Sequence, residues 1–149
     1  MKVFVALLRA INVGGTGKLA MSELKSLCEA AGFKDCRTYI QSGNVVFRSP
    51  LAEATVKAKL EKALATKLGK AGVAMVRSRA ELEAAINRNP YKSAMASRVL
   101  VLFLDEAPAR DALSGLQIPG REKVKLEGRE VYARMGYRDL GALSVWEHR

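Results

Sequence analysis

Apolar runs and polar, glycine-marked breaks alternate along this chain, and the period of each run names an element. Val3 to Leu8 is a continuous apolar run rich in β-branched and aromatic residues, which predicts a central strand covered on both faces. Ser22 is placed to cap a helix with Leu24, Leu27, Cys28 and Ala31 on one face and Gly32 at its end. Arg37 to Gln41 and Asn44 to Arg48 read as two short strands around Ser42-Gly43, a tight hairpin signal. Val56, Leu60, Ala63, Leu64 and Leu68 mark an amphipathic helix with lysines on its wet side, stopped by Gly69. Val73 to Val76 is a further strand. Ser78 and Glu81 form a capping box opening a third helix, with Leu82, Ala85 and Ile86 inward and Pro90 as the stop.

That order is β-α-β-β-α-β, the split or ferredoxin-like unit. The pattern then begins again. Val99 to Leu104 is a strand, Pro108 suits the first turn of a short helix ending near Gly115, and Lys123–Leu126 with Arg129–Arg134 make a hairpin around Glu127-Gly128. The expected fold is α+β: a ferredoxin-like β-α-β-β-α-β unit followed by a second, incomplete ferredoxin-like half. The expected division is a first half over residues 1–78, a connecting helix and loop over 79–97, and a β-α-β-β half with its tail over 98–149.

Composition narrows the classes. Hydrophobic residues make up 49% of the 149 and charged residues 27%, the balance of a globular domain rather than a disordered chain. No apolar window approaches a membrane span, and the start lacks a signal peptide's apolar core. Two cysteines without C-x-x-C spacing suggest neither a disulfide scaffold nor zinc, so the expected setting is the cytoplasm. Charge is the outlier at +10: residues 1–104 carry 17 basic and 7 acidic side chains, residues 105–149 carry 8 of each. Such a basic half attracts polyanions, nucleic acid first among them, and is also what a merely solvated basic surface looks like.

Two stretches carry a resemblance. Leu7-Leu8-Arg9-Ala10-Ile11-Asn12-Val13-Gly14-Gly15 with Lys18, Met21 and Leu24, and Arg37-Thr38-Tyr39-Ile40-Gln41-Ser42-Gly43-Asn44-Val45-Val46-Phe47, resemble the two signatures of the domain-of-unknown-function family 1697. The likeness runs more weakly through Asn89-Pro90-Tyr91, Val101 to Leu104 and Gly128 to Tyr132, about residues 1–134 in all. It implies an α+β fold of two ferredoxin-like halves and brings no established activity. Members usually continue through a Ser-Lys-Leu stretch, a helix and an Arg-Asn-Trp segment. This chain instead runs Met135-Gly136-Tyr137-Arg138-Asp139-Leu140 and on to Arg149, so its C-terminal segment is unmatched.

In such a unit the strand order 4-1-3-2 brings three loops to one edge, with Arg9 at the end of the first strand. Asn12, Gly14, Gly15 and Lys18 lie in the first loop, Gln41, Ser42 and Asn44 in the second, and Lys70 in the third. Glycines there expose backbone N–H groups and lysines add charge, so a phosphate or carboxylate ligand fits, although ordinary turns use the same residues. The P-loop pattern G-x-x-x-x-G-K-[ST] fails at both ends, with Asn12 in its first position and Leu19 in its last. The single histidine, His148, adjoins the C-terminus, and no Asp or Glu lies between Lys2 and Met21 or from Cys36 to Leu51. Catalytic residues, a metal site and a cofactor are therefore not expected, and a non-catalytic module is favoured over an enzyme.

Nucleic-acid candidates form a second set: Lys57, Lys59, Lys62 and Lys67 along the amphipathic helix, with Lys70 after it. RNA-recognition motifs share the β-α-β-β-α-β topology, and Phe4 stands where a base-stacking aromatic would. The third strand lacks the matching pair of aromatics, so Phe4 is expected in the core. An incomplete second half exposes a strand edge, which suggests either a homo-oligomer formed through that half or a Leu140-to-Trp146 segment folded back over the edge.

Overall fold

The computed structural model of the chain describes residues 1–9, 19–39, 43–69, 73–118, 120–136, 138–140 and 143–145. Two compact units divide it, Met1–Glu83 and Ala84–Arg149.

The first unit contains β1 (Lys2–Arg9), α1 (Met21–Ala30), β2 (Lys34–Tyr39), β3 (Asn44–Ser49), α2 (Glu53–Leu68) and β4 (Val73–Ser78). Its sheet has the order β2-β3-β1-β4, every neighbouring pair antiparallel. The element order and strand order are those expected of a β-α-β-β-α-β unit. β1 is central, but its apolar run is not equally covered on both sides. Phe4, Ala6 and Leu8 are buried, whereas Val3, Val5 and Leu7 are half-buried. The two helices supply the difference, because Leu24 and Cys28 of α1 and Val56, Leu60 and Leu64 of α2 all close on one face of the sheet. At the centre of that core Phe47 stacks on Phe33 with ring centroids 4.4 Å apart and on Phe4 at 6.1 Å.

Local chemistry sets the ends of the helices. α1 starts at Met21 with Ala20 as a cap that makes no side-chain bond, so Ser22 is not the cap its residue type suggested. Its other end closes as the sequence implies. Gly32 has φ +94°, its N–H donates to the Glu29 carbonyl and that of Phe33 to the Cys28 carbonyl, a Schellman arrangement that satisfies the last free carbonyls. The third helix, α3 (Arg79–Asn87), opens on the expected capping box: the Ser78 N–H donates to Glu81 Oε2 at 2.7 Å and the Glu81 N–H to Ser78 Oγ at 3.3 Å. Ala85 is its buried residue, and Ile86 faces solvent instead of the core.

In the second unit β5 (Val99–Phe103), β6 (Lys123–Glu127) and β7 (Glu130–Arg134) form an antiparallel sheet of order β5-β7-β6. Gly128, at φ +60°, turns the β6–β7 hairpin. Residues 110–115 form consecutive turns in place of the short helix that Pro108 predicts, each closed by a bond three residues back such as Ala112 N–H to the Ala109 carbonyl. Tyr132 is fully buried and its hydroxyl donates to the Ala85 carbonyl, while Glu130, also buried, accepts from Arg88 at 3.1 Å. β8 (Arg138–Leu140) and β9 (Leu143–Val145) pair with each other as a separate ribbon.

Candidate functional site

The strand register gathers the ends of three connections at one edge of the first sheet. Arg9 pairs with Val73, Leu7 with Asn44 and Asn44 with Tyr39, and the Leu8 N–H donates to the Gly43 carbonyl. Of the anion-site candidates, Arg9 is exposed and Asn44 half-buried at this edge. Asn12, Gly14, Gly15, Lys18, Gln41 and Ser42 lie outside the described residues, as does Lys70 of the lysine set.

Two of the described lysines on α2 have partners within the fold. Lys57 Nζ donates to the Ala74 carbonyl at 2.6 Å and pairs with Glu61 at 2.8 Å, and Lys67 lies 3.8 Å from Glu23. Lys59 and Lys62 are exposed and have no carboxylate partner among the described residues. Across α1 and α2 together four glutamates stand against five lysines, so the helical layer is nearly neutral. The surplus positive charge must sit elsewhere.

Three arginines, Arg37, Arg48 and Arg77, stand on the sheet face turned away from the helices. Residues directly opposite one another in antiparallel pairs share a face, so the register writes that surface out row by row. One row across the four strands is Arg37, Val46, Val5 and Arg77, and the next is Tyr39, Asn44, Leu7 and Met75. Arg48 lies opposite Val3 one row further on. The middle of this face is apolar and half-buried, formed by Val3, Val5, Leu7, Val46 and Met75. Arg37 and Arg48 are exposed, and Tyr39 is 69% exposed. A shallow cavity of about 340 Å³ between Val3, Asp35, Arg37, Val46, Phe47 and Arg48 lies on this side. Asp35 sits 3.6 Å from Arg48, both well exposed, and marks an irregularity in the β2–β3 pairing at φ +51°, a left-handed conformation that aspartate tolerates. Arg77 differs from the other arginines. It is 1% exposed and its guanidinium donates to the Val76 carbonyl at 3.0 Å.

The candidate sets read from the sequence do not include Arg37, Arg48 or Tyr39. The signal was present in the period of two: with Val45 and Phe47 inward, Val46 and Arg48 must face outward. Phe4 and Phe47 are buried, which leaves Tyr39 as the aromatic side chain exposed on the sheet among the described residues. That differs from an RNA-recognition motif, which presents aromatics from its first and third strands.

Both cysteines are buried in the core of the first unit. Burial pushes the Cys28 thiol up to about 12, with smaller contributions from Cys36 and Glu29, and burial likewise raises Cys36. Thiols held protonated are poor nucleophiles and poor metal ligands. Because the folded pKa of Cys28 is raised, its contribution to stability is complete below about pH 9 and is lost as pH rises towards 12. Among the described residues there is no group of His, Cys, Asp and Glu suited to a metal ion, and no helix long and apolar enough to cross a membrane.

The chain belongs to the family described as protein of unknown function (DUF1697), whose model matches residues 1–132. The segment beyond residue 132 is unmatched. Among solved structures it is similar to the conserved bacterial protein SP0830 from Streptococcus pneumoniae, at 25% identity and a TM-score of 0.76 over 91% of this chain and 77% of that one. No curated protein matches it.

Proposed function

We propose that this protein is a non-catalytic module that binds a polyanion, most fittingly single-stranded nucleic acid, on the outer face of its first sheet. The observation that carries the reading is the register that sets Arg37, Arg48 and Tyr39 around an apolar floor of Val3, Val5 and Val46. Arginines at the rim contact phosphates, Tyr39 offers a stacking surface for a base, and the valines accept the apolar parts of sugar and base. Arg9 extends the charged rim to the edge where the three connections meet. That convergence favours a second reading, a phosphate or small-molecule ligand at the loop edge beside Arg9 and Asn44. Free cysteines fit a cytoplasmic setting. Leu100 at 50% exposure and Leu102 at 46% share one face of β5 and support self-association through the second unit.

Amide shifts of the ¹⁵N-labelled protein on titration with a short oligothymidylate separate these readings. Shifts are expected at Val5, Arg37, Tyr39, Val46 and Arg48. Shifts confined to α1 and α2, or none at low salt, would refute the sheet-face reading, and shifts only at Arg9, Gly43 and Asn44 would favour the loop edge.

A further inference from the structure

The helical layer carries a second surface of a different character. Between α1 and α2 runs an open groove of about 610 Å³, floored by Leu27, Ala30, Ala31 and Ala63 and flanked by Lys59 and Lys62. The spacing is that of two helix faces side by side, positions 27, 30 and 31 on one and 59, 62 and 63 on the other. Alanines keep the floor shallow, so an incoming backbone can approach closely. Thr66, at one end, spends its hydroxyl on the Lys62 carbonyl at 3.1 Å and so presents its methyl group rather than a free donor.

The charge around this floor is selective. Lys25 lies 3.9 Å from Glu29, Lys57 pairs with Glu61 and Lys67 with Glu23, leaving Lys59 and Lys62 without a carboxylate among the described residues. Positive charge is therefore unmatched at one place on the layer, beside the apolar floor. We propose that this groove docks an acidic amphipathic helix of a partner protein, apolar residues against Leu27 and the alanines and two carboxylates one turn apart on Lys59 and Lys62. Carboxylates three or four positions apart on one helix face match two lysines three positions apart on another. Nucleic acid suits the groove less well. Neither α1 nor α2 carries an aromatic side chain on which a base could stack.

The test uses the full chain and three probes: a synthetic helix-forming peptide with a Glu face and a Leu stripe, the same peptide with Lys for Glu, and decanoate as a simple amphiphile. The acidic peptide is expected to shift the amides of Leu27, Ala30, Lys59, Lys62 and Ala63. Reversing both lysines (Lys59→Glu with Lys62→Glu) should weaken it by more than about tenfold, since like charges face each other across the contact. The lysine peptide should then bind the reversed protein better than the original. Both lysines are exposed, so the variant keeps its core, and unchanged amide shifts elsewhere will verify that. Failure of the acidic peptide to bind, indifference to the reversal, or movement of these amides by decanoate or oligothymidylate alone would overturn the proposal. Because the sheet face lies on the other side of β1 and β3, its failure leaves the groove untouched, and the reverse also holds.

Discussion

Replacing Phe47 with alanine is expected to cost the first unit about 3–5 kcal/mol, the range for deleting a buried aromatic side chain. Phe47 has no exposed surface, and it is the ring shared by both stacked contacts, with Phe33 at 4.4 Å and Phe4 at 6.1 Å. Truncation removes the apolar burial and both ring contacts, and it leaves a cavity that β1, β3 and the segment after α1 cannot close without moving backbone. Chemical denaturation followed by far-ultraviolet circular dichroism reads the loss as a lowered midpoint. A cost near 1 kcal/mol or less, the scale of an ordinary surface change, would mean that the aromatic cluster is not the centre of this core.

Reversing two rim charges, Arg37→Glu with Arg48→Glu, is expected to lower oligothymidylate affinity by roughly a hundredfold at low salt, about tenfold for each reversed contact. The stability of the fold should change little. Both side chains are exposed, and the Asp35–Arg48 pair at 3.6 Å is more than half exposed on each side, where ion pairs contribute little. The paired control is Lys57→Ala with Lys67→Ala on the helical layer, which should leave this affinity nearly unchanged because α2 packs on the opposite face of the sheet from Arg37 and Arg48. Anisotropy of a labelled oligonucleotide measures both. A loss from the control about half as large on a logarithmic scale as that from the reversal would point to non-specific attraction by net charge alone, since the control removes two charges and the reversal changes four.

Elements with both a period and a punctuation mark were legible in the sequence. α2 shows its buried stripe at Val56, Leu60 and Leu64 and its stop at Gly69, which takes φ +69°. The Ser78–Glu81 box is local chemistry and stands as written. The 110–115 turns were misread because Pro108 licenses a helix start but nothing after it supplies an inward stripe: Leu113 is half-buried and Leu116 exposed. Ser22 was misread as a cap because a capping residue type says nothing about which residue first takes helical geometry. The pairing of Lys67 with Glu23 joins two helices 44 positions apart in the chain, so no local pattern announces it. The arginine face is the opposite case. Its strand alternation was visible, and only the register of β2, β3 and β1 turns separate outward positions into one surface.

The most direct test of the sheet-face reading is the salt dependence of oligothymidylate affinity in the original protein and in Arg37→Ala. Each phosphate contact on a single strand contributes about −0.7 to the slope of log affinity against log salt. With Arg9, Arg37 and Arg48 each neutralising one phosphate, a slope of about −2 is expected, becoming shallower by about 0.7 when Arg37 is removed. Affinity that ignores salt, or a slope that Arg37→Ala leaves unchanged, would contradict a polyanion held on this face.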